Sequence, residues 1–165
     1  MGKIKLFAAA AVMACLPGLA LAQGAQVAFG NTQQDRSLPV EVTSDNLNVN
    51  QNDNTAIFTG NVLIAQGEMR LAAPRVLVVY LEDQTGIERL EATGGVTLVS
   101  GEDAAEAARA DYNISTGMIE LRGDVLLVQG QSAITGETML VDTGAGTARV
   151  QGRVKTVLKP RGDDQ

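Results

Sequence analysis

A short glycine motif recurs through this chain at intervals that constrain what it can fold into. Gly-x-Val occurs at Gly60-Asn61-Val62, Gly94-Gly95-Val96, Gly123-Asp124-Val125 and Gly152-Arg153-Val154, and its starting positions differ by 34, 29 and 29 residues. Several copies stand between two apolar runs. A repeat of this length is typical of one supersecondary unit stacked on copies of itself, and a glycine inside a strand pattern indicates a bend or bulge. We therefore expect each unit to contain two or three strands with a kink at the glycine.

The segments between the glycine motifs predict an all-β chain. Leu47 and Val49 alternate with asparagines, which is the pattern of a strand with one wet face. Residues 101–110 have a composition that favours helix, but alanine is their only apolar residue type, so we predict a turn followed by a strand rather than a short surface helix. The pattern amounts to roughly a dozen or more short strands, with turn signals roughly every 8–12 residues. The residues alone leave a sandwich, a barrel and a solenoid open.

The first 22 residues are predicted to be a secretory signal peptide rather than part of the fold. Lys3 and Lys5 precede an apolar run, and Ala20-Leu21-Ala22 is a small-x-small cleavage site. Cleavage there would leave Gln23 at the N-terminus of an exported protein. Acylation at Cys15, the single cysteine of the chain, is the alternative and would tether the protein to a membrane.

The rest of the chain is predicted to hold one domain. Residues 23–37 are polar and contain two glycines, which indicates a flexible lead-in. Residues 38–159 carry the strand pattern and are predicted to form the domain, while residues 160–165 form a polar tail. A length of this order suits a single hydrophobic core.

The composition argues against several kinds of function. The chain has no histidine and one cysteine, which removes the commonest general base, the usual nucleophile pairs and the usual transition-metal ligands. We therefore predict no enzyme, no cofactor and no metal. The formal net charge of −6 argues against a nucleic-acid partner, which needs clustered Lys and Arg. The acidic pair Glu102-Asp103 is interpreted as solvated surface rather than as a glycosidase pair.

Four segments of the chain resemble the LptA/OstA family of periplasmic lipopolysaccharide carriers. They are Leu38–Asp45 (LPVEVTSD), Phe58–Val62 (FTGNV), Gln66-Gly67 and Gly152–Leu158 (GRVKTVL). The resemblance covers about the whole mature chain and is weakest over residues 82–110. It implies a single-domain antiparallel β-jelly roll, twisted and V-shaped, whose two sheets open into an apolar trough.

The same resemblance implies a function and a set of partners. The protein would bind lipopolysaccharide in the periplasm and pass it along the trough for outer-membrane assembly, acting as a bridge between the two membranes. Its partners would be further copies of itself joined head to tail, an inner-membrane, LptC-like partner of the same fold, and an outer-membrane, LptD-like partner.

Nine positions are predicted to line the trough. The resemblance carries over to Val40, Val42, Leu98, Tyr112 and Ile114. Strand phase adds four residues that share the inward parity of their strands: Leu47, Phe58, Val62 and Ile64. A packed core without any ligand is the alternative interpretation of all nine.

The two ends of the domain are predicted to expose unpaired edge strands, Pro39–Thr43 and Val154–Leu158. An open edge can pair with a strand of a second chain, so these edges are expected to join copies head to tail. The residues expected at the junction are Val40, Val42, Val154, Thr156, Val157 and Leu158.

Three other classes of protein compete with a lipid carrier. A ligand-free β-solenoid polymer would stack in the same way, although the irregular 34-29-29 spacing counts against a strict solenoid. A secreted β-enzyme acting on polysaccharide is disfavoured by the missing histidine and the scarcity of aromatic residues. A membrane-anchored relative of the same fold would follow if the leader were not removed.

Overall fold

The structure is a computed structural model that describes residues 24–30 and 35–158. The predicted signal peptide, Cys15, the cleavage site at Gln23 and the polar tail lie outside the described residues. Every element within the described ranges is a β-strand, so no helix there is long or apolar enough to cross a membrane. The predicted all-β class is therefore confirmed.

The strands, in chain order, are β1 (Ala25–Ala28), β2 (Glu41–Thr43), β3 (Asn46–Asn50), β4 (Thr55–Gln66), β5 (Met69–Tyr80), β6 (Ile87–Ser100), β7 (Asp103–Asn113), β8 (Met118–Gln129), β9 (Ser132–Asp142), β10 (Thr147–Gln151) and β11 (Lys155–Val157).

These strands form one antiparallel meander. The hydrogen-bonded order is β1-β10-β9-β8-β7-β6-β5-β4-β2, with β3 also paired to β4 and β11 also paired to β9. Since β2 and β3 lie end to end along β4, and β10 and β11 lie end to end along β9, each pair acts as one interrupted strand. The sheet is therefore an up-and-down run of eight long strands, with β1 added beyond β10.

A kink crosses every long strand near its middle, and the glycine motif builds it. In β4 the ladder shifts register between Thr59 and Val62, and both Gly60 and Asn61 adopt left-handed backbone, with φ of 80° and 46°. A methyl group at Gly60 would lie 2.5 Å from Oδ2 of Asp45, in the break between β2 and β3, so a side chain does not fit there. The same shift recurs in β6 and β8 at the next two copies of the motif.

The kinks correct one sequence-based expectation. The motif bends the strands rather than ending them, because pairing resumes on both sides of each register shift. In place of the expected dozen or more short strands, residues 24–30 and 35–158 form eleven strands, and six of these are 11 to 14 residues long. One sequence repeat is therefore one long hairpin, with the glycine kink on every second strand.

The kink divides the sheet into two layers that face each other. Layer A contains β2, β11 and the segments of β4–β9 on the same side of the kink. Layer B contains β1, β3, β10 and the remaining segments of β4–β9. Alternate residues of each segment are buried, as at Val62 and Ile64 around the exposed Leu63, and the buried apolar residues of both layers form a single cluster. Burying each such aliphatic side chain contributes about 1.5–3 kcal/mol.

Part of the predicted flexible lead-in, residues 23–37, forms strand β1 in the structure. Ala25 and Val27 pair with Val150 and Ala148 of β10, and Phe29 beyond them is 4% exposed. The local alternation of Val27 and Phe29 is too short to predict a strand beside two glycines. Its order comes from pairing with β10, so the described fold begins before residue 38. By contrast, residues 101–110 form a turn and the start of β7, as predicted.

Candidate lipid-binding interior and strand edges

The predicted lipid-contacting residues fall into two groups. Four of them lie together in the closed middle of the molecule, each no more than 2% exposed: Val62, Ile64, Leu98 and Tyr112. Four others are partly buried and pack against the rim of the core: Val40, Val42, Phe58 and Ile114. The ninth, Leu47 on β3, is 56% exposed. The set therefore runs from a sealed core to an open end, and the apolar trough stays a prediction.

A buried polar contact joins the two layers across the core. The hydroxyl of Tyr112, in layer B, donates to Oε1 of Gln66, in layer A, at 2.6 Å. Nε2 of Gln66 in turn donates to the carbonyl of Leu38 at 3.0 Å. Burial raises the pKa of the Tyr112 phenol above its ordinary value, although a hydrogen bond with Thr143 and the charge of Arg36 act in the opposite direction. Tyr112 therefore ties the layers together as well as filling the core.

Sequence reasoning missed Gln66, yet a signal for it was present. Gln66 has the same strand parity as Val62 and Ile64, which point inward, and it is itself 2% exposed. A polar side chain at an inward position needs a buried partner. Tyr112, at an inward position of another strand with a hydroxyl to satisfy, supplies that partner.

The inner face is uncovered at the β3 end of layer B. Leu47 pairs with Phe58 and Val49 pairs with Ala56, so both β3 side chains share the inward face of their neighbours. They are nevertheless 56% and 58% exposed, so this part of the inner face is not covered by the described residues. A cavity of about 220 Å³ opens at this end and is lined in part by Val49 and Tyr80. The other lining residues, Asn50, Gln51, Asn54, Thr55 and Gln84, are polar, so the apolar surface that a hydrocarbon chain could contact here is that of Leu47, Val49 and Tyr80.

The predicted edge strands lie at opposite ends of layer A. At one end Val42 of β2 pairs with Ile64 of β4, and at the other Thr156 of β11 pairs with Ile134 of β9. Val157 and Leu158 are 55% and 70% exposed. In layer B the corresponding edges are β3 and β1. The predicted junction residues therefore flank both ends of the sheet, with Val40, Val154 and Leu158 just outside the strands.

Asp103, one member of the acidic pair Glu102-Asp103 that was interpreted as solvated surface, makes hydrogen bonds that stabilise the fold. Oδ2 of Asp103 accepts from the backbone N–H of Gly30 at 2.8 Å and from Nε2 of Gln129 at 3.0 Å. The same Gln129 amide donates to the carbonyl of Ala28 at 2.7 Å. These bonds hold the end of β1, in layer B, against layer A, so the solvated interpretation is wrong for Asp103.

The outer face of layer B carries a ladder of alternating charges. Arg109 contacts Asp111 at 2.9 Å, and Arg122 contacts Glu120 at 2.6 Å and Asp111 at 3.4 Å. Arg109 and Arg122 are directly opposite on neighbouring strands, an arrangement that would be repulsive without the carboxylates. These ion pairs are solvent-exposed and each contributes little, so they keep this face polar while the apolar residues point inward.

Comparison with known proteins places this arrangement in a family. Residues 41–147 match the family described as LptA/(LptD N-terminal domain) LPS transport protein. An uncharacterised protein of Rhizobium meliloti (strain 1021) is 30% identical over 153 residues, which are 86% of this chain and 82% of that protein. The lipopolysaccharide export system protein LptA of Haemophilus influenzae is 28% identical over 139 residues, covering 78% of this chain and 81% of that protein.

A solved structure shares the fold. LptH of Pseudomonas aeruginosa, the LptA-homologous periplasmic component of a lipopolysaccharide transport device, superimposes with a TM-score of 0.68 at 18% identity. The match covers 77% of this chain and 99% of that one. Together with the family match, this makes the kinked antiparallel sheet an OstA-like domain. The chain belongs to the LptA/(LptD N-terminal domain) family of lipopolysaccharide transport proteins, as the sequence motifs indicated.

Proposed function

We propose that this protein is a periplasmic carrier that binds lipopolysaccharide and passes it between the inner and outer membranes. The observation that supports the proposal best is the uncovered inner face at β3, where Leu47 and Val49 continue the buried core of layer B into solvent. Acyl chains would lie on this face and extend toward the core. Each buried methylene contributes about 0.8 kcal/mol, so even partial burial of one chain gives useful affinity.

The sheet ends also support a bridge built from several copies. The eight long strands alternate in direction, so β2–β3 at one end runs opposite to β10–β11 at the other. A second copy, placed in the same orientation beside the first, would continue the antiparallel meander with β2 next to β11. Partners of the same fold, LptC-like at the inner membrane and LptD-like at the outer membrane, would join the ends of the row by the same strand pairing.

No catalytic step is needed for this transfer. The chain has no histidine and no Gly-x-x-x-x-Gly-Lys-Ser/Thr phosphate-binding motif. Work to move the lipid would come from another component, while the row of similar apolar surfaces keeps each transfer close to neutral in free energy.

Photo-crosslinking in cells tests lipid contact directly. A photoreactive residue at Leu47, on the inward face, should capture lipopolysaccharide, whereas the same residue at Asn48, on the outward face of the same strand, should not. Capture at both positions alike, or at neither in a protein that is folded by circular dichroism, would contradict the proposal.

The packed middle of the molecule favours a second candidate, a structural polymer without lipid. Ile64 and Leu98 are fully buried, as Leu121 and Leu127 also are, so the central core is complete without a ligand. Mass spectrometry of protein purified from its own envelope separates the two candidates. Bound lipopolysaccharide is expected for the carrier, and its absence from stacked protein would favour the polymer.

A further inference from the structure

We propose that the outer edge of β10 is the receiving site for strand β3 of a second copy, and that the chain's own β1 occupies it. This inference rests on the head-to-tail assembly proposed above and names its contact surface. It follows from a likeness between β1 and β3 in direction, side-chain parity and chemistry.

The direction of β1 matches that of an incoming β3. Ala25 lies opposite Val150, and Ala28 lies opposite Thr147, so β1 runs from the kink toward the far end of layer B. β3 runs the same way, from Asn46 opposite Thr59 to Asn50 opposite Thr55. A copy translated along the sheet would therefore bring its β3 to β10 in the antiparallel direction that β1 already uses.

The side chains of β1 repeat the pattern of β3. With the kinks aligned, Leu47 and Val49 of the second copy fall where Ala25 and Val27 now lie, on the inward face against Val150. The outward position between them is held by an amide in both strands, Gln26 in β1 and Asn48 in β3. Oε1 of Gln26 accepts from Nη2 of Arg149 at 3.2 Å, and the oxygen of Asn48 can accept the same bond.

In layer A, the same second copy would meet the open edge of β11. β11 is an edge strand whose three residues are all exposed. In the same register, Thr43 of the second copy lies opposite Lys155, and Val42 lies opposite Thr156. Glu41 then becomes a diagonal neighbour of Lys155 on the outward face, an attractive pair of charges. The sequence therefore fits β2 to β11 without any rearrangement.

The asymmetry between the layers determines the strength of the contact. While β1 stays on β10, a second copy can pair only with the three residues of β11. When β1 leaves, pairing extends over the five residues of β10 as well. It also covers Leu47 and Val49, the most exposed apolar side chains of β3. β1 therefore competes with intermolecular assembly for one edge.

A reversible disulfide lock, which holds β1 on β10, tests whether β1 competes with a second copy for this edge. Gln26→Cys and Arg149→Cys, made in a chain that also carries Cys15→Ser, place two cysteines at directly opposed positions of β1 and β10. Opposed residues of antiparallel strands lie about 4.5–5.5 Å apart at Cα, a distance that a disulfide can span. In sedimentation equilibrium we expect the oxidised protein to self-associate about tenfold more weakly than the same protein after reduction.

Releasing β1 from the edge of β10 should strengthen self-association. Val27→Asp places a carboxylate on the inward face of β1 and should release it, which we expect to strengthen self-association by about tenfold. Ala28→Asp, on the exposed outward face of the same strand, is the matched control and should behave as wild type. Adding Val49→Asp to Val27→Asp should abolish the gain, because it alters the incoming strand. This double variant separates specific pairing from non-specific aggregation.

The outcomes distinguish this inference from the assembly on which it rests. If wild type self-associates but neither the lock nor Val27→Asp changes its dissociation constant, the receiving edge is wrong and head-to-tail assembly stands. If wild type, the reduced double-cysteine protein and Val27→Asp all remain monomeric at high concentration while folded, the head-to-tail proposal itself fails.

Discussion

The two ends of the sheet are built from the same repeat but differ in how their inner faces are covered. At the β3 end, Leu47 and Val49 point inward yet are more than half exposed. At the β10 end, Val150 and Met139 have the same inward parity and are fully buried. One difference between the ends is a short N-terminal segment, β1 with Phe29, which pairs with β10 and has no counterpart beside β3 among the described residues. A few residues outside the repeat thus make the two ends of a nearly symmetric sheet differ in structure.

The largest expected effect comes from placing the same charge at the inner face of each end. Val150→Asp buries an unpaired carboxylate in the covered end and should lower the free energy of unfolding by about 3–5 kcal/mol. Val49→Asp makes the same change at the open end and should alter it by no more than about 0.5 kcal/mol. Urea denaturation measures both. Equal losses would show that the β3 end is covered in solution.

A side chain added at the kink should lower stability equally near both ends of the sheet. Gly60→Ala and Gly152→Ala each place a methyl 2.5 Å from a carboxylate oxygen, that of Asp45 or Glu137, at φ near 80°. We expect each to lose about 2–3 kcal/mol of stability in thermal denaturation. Gly95→Ala is the control, because its φ is 96° but nothing lies within 4 Å of the added methyl. Its loss should be about 1 kcal/mol, and a loss as large as at Gly60 would show that backbone conformation alone sets the cost.

The contact between layers should make a smaller contribution. Tyr112→Phe removes the hydrogen bond from the hydroxyl to Gln66. It should lower the free energy of unfolding by about 1–2 kcal/mol, since it leaves a buried acceptor with one partner fewer.

The same hydroxyl should make stability depend on pH. Because burial raises the phenol pKa in the folded state, the neutral phenol favours folding. That contribution is present below the ordinary tyrosine pKa near 10 and is lost as the pH rises from there through the folded pKa. Thermal melting from pH 8 to pH 11 should show this alkaline loss in wild type and a smaller one in Tyr112→Phe.

The smallest effect on folding is expected at the free edge of layer A. Val157→Pro alters a strand whose three residues are all exposed, so the free energy of unfolding should change by about 1 kcal/mol or less. Self-association measured by light scattering should nevertheless weaken about tenfold, because proline cannot donate to an added strand. Unchanged association of a folded variant would exclude β11 from the junction.

Much of the fold follows from local sequence patterns, and the unexpected parts come from long-range contacts. The Gly-x-Val spacing indicated the kinks correctly because left-handed backbone at Gly60 is a local demand. It could not show that strands continue through each kink, since continuity depends on pairing with residues of the next strand that are 11 to 16 positions away on either side of the kink. β1 was missed for the same reason, because Val27 and Phe29 are ordered by β10, more than 100 residues later.

The candidate lipid-contacting residues were also only partly predictable from the sequence. Strand parity indicated Val62 and Ile64, and the family resemblance indicated Leu98 and Tyr112; all four are buried in the core. Parity alone cannot distinguish a sealed position from an open one, since this depends on whether the other layer extends over it. Leu47 and Ile64 therefore look alike in sequence but are 56% and 0% exposed in the fold.

The even number of kinked strands gives this architecture an adjustable length. Each sequence repeat is one complete hairpin, so inserting or deleting a repeat would change the sheet by two strands, about 9.5 Å across. The first and last strands would keep their opposite directions, and the kinks would stay in line. Both edges would then be preserved, and chains of different length could still join one another. Evolution could therefore alter the span of a single protomer by duplicating hairpins, without redesigning the two edges at which we propose that it joins its neighbours.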